Sequence, residues 1–232
     1  FRRSERMVAG VVAPPRLDLA NEDLVRSHIH ALWLAESGLK LGHNIPSVVD
    51  ISYPEGDRVP APQLRLHDHI QASMDNPGAA TRTVAAARHA LAALIPEFRE
   101  KTSWWDEEWI EDTVRHAPYA FGWAFDRWRD LFRAALVDQA EQNRRVLDHT
   151  LADRDQRAAV SRRREAETQL ALLKNESAEN RSVLSDFNPY RSLASEGFLP
   201  GYSFPRLPLA AYVPASGRRF DDGDYLQRPR FL

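Results

Sequence analysis

Residues 121–137 decide the fold, and they read Phe-Gly-Trp-Ala-Phe-Asp-Arg-Trp-Arg-Asp-Leu-Phe-Arg-Ala-Ala-Leu-Val. Apolar residues recur in this stretch at every third or fourth position, which places them on one face of an α-helix. These residues are Phe121, Phe125, Trp128, Phe132 and Leu136. The chain then has neither glycine nor proline between Gly122 and Pro189. The pattern therefore predicts a long helical region.

The helical region has two interpretations, because charged residues dominate residues 153–164 before the apolar stripe resumes at Leu170. A single helix of about 60 residues would be roughly 90 Å long at 1.5 Å per residue, which exceeds the diameter of a small domain. A reversal near residues 153–157 would instead give an antiparallel helical arm over about residues 138–180. The sequence leaves the continuous helix and the helical hairpin open.

Shorter helices are predicted upstream of this region. Asp18 or Asn21 would cap a helix that ends at Gly38, because short polar side chains accept hydrogen bonds from free amides at helix starts. A four-residue apolar repeat from Leu66 to Met74 indicates a short amphipathic helix. The expected fold class is mainly α: a helical bundle with a long helix or antiparallel helical arm.

Two further helices are predicted between residues 76 and 118. Asn76 and Pro77 form a cap and a first helical position, and this helix is expected to end at Pro96. A variant capping box at Ser103 would begin the next helix, which is expected to end near Pro118. Tryptophans at helical spacing are typical of a core, and a base-stacking surface is the alternative. The residues concerned are Trp104, Trp105, Trp109, Trp123 and Trp128.

Residues 186–208 crowd aromatic rings, arginines, prolines and glycines too closely for a regular helix or strand. Left uncovered, so many rings would favour aggregation, which indicates an irregular segment docked on the helices before it. One or two short strands are expected beyond it, at residues 209–213 and 225–232.

The composition limits the function classes. The 232 residues carry a formal net charge of -2, which lacks the basic excess of a self-sufficient nucleic-acid-binding protein. The chain has no cysteine, so it forms no disulfide and no cysteine zinc site. No apolar run approaches the roughly 20 residues needed to span a bilayer, and a cytoplasmic location is expected.

Catalytic motifs are missing from the sequence. No Gly-x-x-x-x-Gly-Lys loop, no Asp-Glu pair after an apolar strand and no Gly-x-Ser-x-Gly turn occurs, so no catalytic or cofactor-binding residue is predicted. The histidine pairs His28/His30 and His67/His69 would diverge if both members lay on a helix, so no metal site is predicted either. The arginines at 162–164 are expected to form ion pairs on a solvated helix face, with phosphate contact as the alternative.

Three stretches resemble a family of large bacterial helicases. Residues 14–28 read Pro-Pro-Arg-Leu-Asp-Leu-Ala-Asn-Glu-Asp-Leu-Val-Arg-Ser-His. Together with residues 186–208 and 225–232, they are similar to the region after the second motor domain in DEAD/DEAH-box superfamily 2 helicases. The similar helicases carry a C-terminal domain of unknown function 1998 with a zinc module, and some belong to DISARM-like or Druantia-like anti-phage systems.

The resemblance implies a position within a longer chain. Residues 1–16 would be a linker from the motor domain, 17–185 a helical accessory domain, and 186–232 a docked loop that leads into the next domain. ATP and Mg²⁺ would be bound by the parent helicase, and neither cofactor is assigned to this fragment. The implied partners are the flanking domains and DNA, and no membrane partner is expected.

Two functions are predicted. The first is an accessory helical bridge of an ATP-dependent DNA helicase or translocase, in anti-phage defence or DNA repair. Its strand-contacting residues would combine arginines for phosphate with rings for base stacking. They are Arg191, Phe198, Tyr202, Phe204, Arg206, Arg228 and Arg230, with Tyr190 beside them; the alternative is that they hold the loop on the helices. The second function is a protein-interaction module in which the charged arm recruits a partner.

Overall fold

The computed structural model describes residues 19–52, 62–175 and 187–201. These residues confirm a mainly α fold, and their only β pairing is an isolated antiparallel bridge between Val49 and Leu66. The elements are α1 (Glu22–Ser37), a 3-10 turn (Ile45–Ser47), α2 (Asp68–Met74), α3 (Pro77–Leu91), α4 (Ile95–Lys101), α5 (Trp109–Trp123), α6 (Asp126–Val146), α7 (Asp153–Lys174) and α8 (Pro189–Ser195). The predicted linker at 1–16 and the strands at 209–213 and 225–232 lie outside the described residues.

Helices α1, α3 and α5 pack against one another and form the centre of a region that we call the base. We define the base as α1, α3, α4, α5 and residues 187–201. Its core is aromatic: Trp33 of α1 contacts Phe121 of α5 at 6.0 Å between ring centroids, and Phe98 of α4 is fully buried. Large buried rings contribute most of the hydrophobic stabilisation of such a core.

The predicted caps explain where α1 and α3 begin. Asn21 accepts a hydrogen bond from the Leu24 amide at 2.9 Å, and Asn76 accepts one from the Gly78 amide at 3.1 Å. Helix α1 ends at Gly38, whose φ of 70° is the left-handed conformation that glycine adopts without strain. The sequence left Asp18 and Asn21 open as the cap of α1, and the structure shows that Asn21 is the cap.

Two predicted helix ends are wrong. Helix α3 ends at Leu91, and Pro96 lies at the second position of the next helix, α4, where a missing amide hydrogen costs no helical hydrogen bond. Pro118 lies inside α5 instead of ending it. Proline removes one helical hydrogen bond there, and burial of the flanking Ala117 and Phe121 offsets this cost.

The predicted capping box at Ser103 is also wrong. Helix α5 begins at Trp109, and Asp106 accepts a hydrogen bond from the Glu108 amide at 2.8 Å. Residues 103–108 are not helical, and Trp104 and Trp105 pack against the core from this connection. Trp109 and Trp128 are buried as predicted, whereas Trp123 is 68% exposed.

Helices α6 and α7 form an antiparallel hairpin, which decides between the two interpretations of the long region. Trp128 donates to the Leu173 carbonyl at 3.1 Å at one end of the hairpin, and Gln156 donates to the Val146 carbonyl at 3.1 Å at the other. The reversal lies at residues 147–152, slightly before the predicted site. The predicted arm, 138–180, is described as far as residue 175.

Arg129 joins the root of the hairpin to the rest of the molecule. Its buried guanidinium donates to the carbonyls of Leu64 at 2.8 Å and Gly122 at 2.6 Å, and it pairs with Asp126 at 2.6 Å. Leu64 has a φ of 54°, an uncommon backbone conformation for leucine. Burial of the Leu64 side chain and the bond from Arg129 together hold this conformation.

Candidate functional site

The residues predicted to contact nucleic acid fall into two groups. Tyr190, Arg191 and Phe198 lie in the described residues 187–201. The others, Tyr202, Phe204, Arg206, Arg228 and Arg230, lie outside the described residues.

Part of residues 186–208 is a regular helix, so the prediction of a wholly irregular segment is wrong for α8. Asn188 accepts a hydrogen bond from the Tyr190 amide at 3.0 Å, and Pro189 follows it in the first helical position. This is the same cap and proline that begin α3. Helix α8 buries Leu193, and Tyr190 is 37% exposed on its surface.

A turn after α8 brings Phe198 into the base. Gly197 has a φ of 77°, which reverses the chain, and the Leu199 amide donates back to the Leu193 carbonyl at 3.1 Å. Leu193 and Leu199, which this hydrogen bond joins, are both buried. The turn therefore fixes residues 197–199 against the middle of α1 and the end of α5.

Phe198 is only 3% exposed, and core rings surround it. It stacks on His30 with 4.5 Å between ring centroids and an interplanar angle of 13°. Its edge contacts involve Trp33 and Phe121 at 6.1 and 5.6 Å. A base could stack on Phe198 only if the ring left this core, so its placement favours docking over strand contact.

A cleft of about 270 Å³ lies where α1, the end of α5 and the turn after α8 meet. It is lined by Arg26, His30, Ala120, Trp123, Ala124, Glu196, Gly197 and Phe198. The lining combines an aromatic surface with both signs of charge. Three distant parts of the sequence build it, so no local motif could have indicated it.

His30 is a buried polar residue in the lining of the cleft. It is 5% exposed, and its Nδ1 is buried without a hydrogen-bond partner among the described residues. Burial lowers the pKa of His30 from 6.5 to about 4, a hydrogen bond to the Phe198 backbone opposes this shift, and the charge of Arg26 adds to it. His30 is therefore neutral near pH 7: one ring nitrogen donates to the Phe198 backbone, and the buried Nδ1 is left as an acceptor.

Arginines flank the cleft, and each has an acidic partner. Arg26 pairs with Glu22 one turn away and lies over the Trp109 ring at 5.7 Å. Arg127, at the start of α6, pairs with Glu196 at 3.7 Å. This second pair links the turn after α8 to the root of the hairpin, and its long distance and exposure make it easy to open.

An exposed aromatic pair lies at the mouth of the cleft. Trp123 is 68% exposed and Tyr119, one turn before it on α5, is 64% exposed, with 6.4 Å between ring centroids. The sequence reasoning missed this pair because it ended the helix near Pro118 and placed Trp123 in the core. Extending the helix to residue 123 would have shown that both positions lie off the buried stripe of α5.

The described residues contain no group of three or more histidine, aspartate or glutamate side chains that could hold a metal ion. The rings of His67 and His69 stack at 5.4 Å instead of diverging, because His67 is the cap before α2 and not part of the helix. In addition, no described helix is long and apolar enough to cross a membrane.

Comparison with known proteins found no match among protein-family models, curated proteins or solved structures.

Proposed function

We propose that this chain is a non-catalytic helical bridge in a larger ATP-dependent DNA helicase or translocase, and that it contacts a nucleic-acid strand at the mouth of the cleft. ATP and Mg²⁺ would be bound by other parts of the parent protein, which would act in the cytoplasm in anti-phage defence or DNA repair. The proposal rests on the helicase resemblance and on one surface feature of the base.

The exposed Tyr119/Trp123 pair carries the nucleic-acid part of the proposal. The other tryptophans of the described residues are buried or partly buried, so an indole that is 68% exposed departs from the pattern. Exposed rings on a helix provide stacking surfaces for unpaired bases, and each stacked base contributes roughly 1–3 kcal/mol. A single strand therefore fits this surface better than a duplex, whose bases are already stacked.

Charges around the cleft support phosphate contact at the same place. A phosphate could replace the carboxylate of Glu196 as the partner of Arg127, since that ion pair is long and exposed. The site thus combines stacking with one exchangeable cation.

The bridging part of the proposal rests on how residues 187–201 are joined to the helices. Phe198 packs against α1 and α5, while the Arg127–Glu196 pair reaches α6. A strand held at Trp123 would therefore act on the base, the hairpin root and the C-terminal segment together. Such a junction suits an element that couples two neighbouring domains.

Binding of a fluorescein-labelled 20-nucleotide single strand, measured by anisotropy, tests the nucleic-acid contact. We expect Trp123→Ala to weaken binding by about 5- to 150-fold, which corresponds to the roughly 1–3 kcal/mol of one stacked base. Val137→Ala is the matched control, because Val137 is a similarly exposed apolar residue on the hairpin. Equal affinities of the wild type and Trp123→Ala would overturn the proposal.

A second candidate function is protein recruitment by the hairpin. Val137 and Leu147 are 69% and 73% exposed on α6 and just after it, and a partner protein that covered both would remove their apolar surface from water. The double variant Val137→Ser/Leu147→Ser in the parent protein would lose a co-purifying partner while keeping DNA-stimulated ATPase activity. Retention of every partner would exclude this function.

A further inference from the structure

Arginines without an ion pair are concentrated in the distal half of the hairpin, which we define as about residues 137–166, around the reversal at 147–152. Most described arginines elsewhere pair with an acid, as Arg82 does with Glu36 and Arg88 with Glu111. In contrast, five arginines between residues 145 and 164 form no ion pair with any described residue. These are Arg145, Arg154, Arg157, Arg162 and Arg164.

The charge of this part of the chain differs in sign from that of the whole. Residues 144–164 contain seven arginines and three aspartates, a formal charge of +4, whereas the chain carries -2. The sequence prediction of ion pairs along residues 162–164 holds only for Arg163, which pairs with Glu167 at 3.4 Å. Residues 144–164 are thus a basic stretch of a nearly neutral chain; Asp138, Glu141 and Glu165 border them, and residues 138–165 together carry +1.

Helix geometry arranges part of this charge as a stripe. The buried side of α7 is marked by Ala159, Ala166, Leu170 and Leu173. At 100° per residue, Arg154, Arg157 and Arg164 lie on the opposite side, and all three are exposed. The exposed Asp153 and Glu165 border the stripe. The stripe covers about 15 Å from residue 154 to residue 164 at 1.5 Å per residue.

The hairpin register adds a further cation to the same end. The two bonds that fix the register place Arg145 of α6 near the beginning of α7, where Arg154 and Arg157 lie. Like charges that are held close together repel one another, and a bound polyanion relieves this repulsion. Arginine also binds phosphate oxygens in a bidentate manner.

We propose that the outer face of α7, through Arg154, Arg157 and Arg164, binds the sugar-phosphate backbone of a nucleic acid. This inference deepens the proposed function and rests on it: Trp123 would hold a base, and the stripe would hold another part of the same nucleic acid. The hairpin then provides phosphate contacts, which add affinity without sequence preference.

The test compares two triple variants of the full 232-residue chain that remove equal charge. Arg154→Gln/Arg157→Gln/Arg164→Gln removes the unpaired stripe, and the control is Arg88→Gln/Arg115→Gln/Arg133→Gln, whose arginines are all exposed and all paired. Binding of a single strand of about 60 nucleotides and of a duplex of about 60 base pairs is measured by anisotropy between about 50 and 200 mM salt.

We expect the stripe variant to lower the slope of log K against log salt by about 2 for the single strand, since each lost phosphate contact removes about 0.7. Its affinity at low salt should fall by about tenfold or more. The control variant should change the slope by less than about 0.5. Circular dichroism of both variants establishes that the hairpin still folds.

Three outcomes separate the inference from the proposed function. If both triple variants lose affinity equally, net charge explains binding and the stripe is not a site. If the stripe variant binds normally while Trp123→Ala binds weakly, the stripe proposal fails and the proposed function stands. If the wild type binds poly-glutamate with the same slope as the nucleic acid, the stripe is a surface for acidic proteins and the inference is overturned.

Discussion

The base and the distal hairpin are both helical, but they use opposite kinds of side chain to hold their helices together. In the base, large rings such as Trp33 and Phe121 fill the space between helices. In the distal hairpin, the buried residues of α7 are the alanines Ala159 and Ala166, which lie outside the main core cluster. The difference lies in how much apolar surface each interface removes from water.

This difference predicts an uneven distribution of stability. Burial of a phenylalanine side chain contributes roughly 1.5–3 kcal/mol to the free energy of unfolding, whereas burial of an alanine methyl group contributes about 0.8 kcal/mol. The hairpin therefore depends on its root, where Trp128, Phe132 and Leu173 join the main core. Its distal half is expected to open locally at a lower free energy than the base.

The largest effect on stability is expected from a substitution in the core of the base. Phe121→Ala should lower the free energy of unfolding by about 3–5 kcal/mol, because a fully buried ring leaves a cavity among other rings. Ala159→Gly in the distal hairpin should cost about 1 kcal/mol, mainly through helix propensity. Urea denaturation measures both values. Equal losses would show that the two regions do not differ in the way proposed.

A second prediction uses His30, the titrating group of the base core. Its folded-state pKa of about 4 lies below its unfolded value of 6.5, so the unfolded chain binds the proton more readily. Stability from neutral His30 is complete above pH 6.5 and is lost as the pH falls toward 4. The total loss is on the order of 3 kcal/mol at 1.36 kcal/mol per pKa unit.

His30→Gln removes this titration, so the stability difference between wild type and variant should shrink as the pH falls through this window. His89→Gln, which changes an exposed histidine on α3, is the control and should preserve the wild-type pH profile. Urea denaturation at a series of pH values gives both curves. Parallel curves for the wild type and His30→Gln would mean that His30 is not buried in neutral form.

The third prediction concerns Arg129, which joins the root of the hairpin to α5 of the base and to Leu64. Arg129→Met should cost about 2 kcal/mol, because the carbonyls of Leu64 and Gly122 lose their donor in a buried place. Arg133→Met, one turn further on the exposed face of α6, should change stability by less than about 0.5 kcal/mol. Urea denaturation compares the two variants. A similar loss of stability in both would show that the buried hydrogen bonds of Arg129 do not stabilise the connection between the hairpin and the base.

The predictable part of the fold follows from local physics. Asn21, Gly38 and Asn76 were recognisable because caps act within a few residues of their own position. The same rule applied at Asn188 would have predicted α8, but the crowded rings and prolines of residues 186–208 outweighed it. The hairpin was predictable as an alternative because a continuous helix would have been too long.

The cleft and the Arg129 joint could not be predicted, because each is made by residues that meet only in the folded chain. Arg129 and Leu64 are 65 positions apart, and nothing in either neighbourhood indicates the other. Trp123 was placed in the core because the helix was expected to end near Pro118, so its position off the buried stripe of α5 was not considered. Phe198 shows the reverse: a ring proposed for a ligand is held in the core instead.

The smallest effect is expected from a substitution that makes the interior of the hairpin more apolar, as the interior of the base is. Gln142 is buried in α6, donates to Asp138 at 3.1 Å and leaves its Oε1 without a partner among the described residues. The hairpin register places it opposite Ala159. A buried polar atom without a hydrogen bond is destabilising, and an apolar side chain of similar size removes that cost.

Gln142→Leu should therefore stabilise the hairpin by about 1 kcal/mol. Hydrogen exchange should slow at amides of α6 and α7 near residues 142 and 159 while the amides of α1 and α3 keep their rates, because only the distal half opens locally. Gln169→Leu, at an exposed position of α7, is the control and should leave these rates unchanged. If Gln142→Leu slows exchange throughout the base as well, the hairpin opens together with the base, and the two regions form one cooperative unit despite their different interiors.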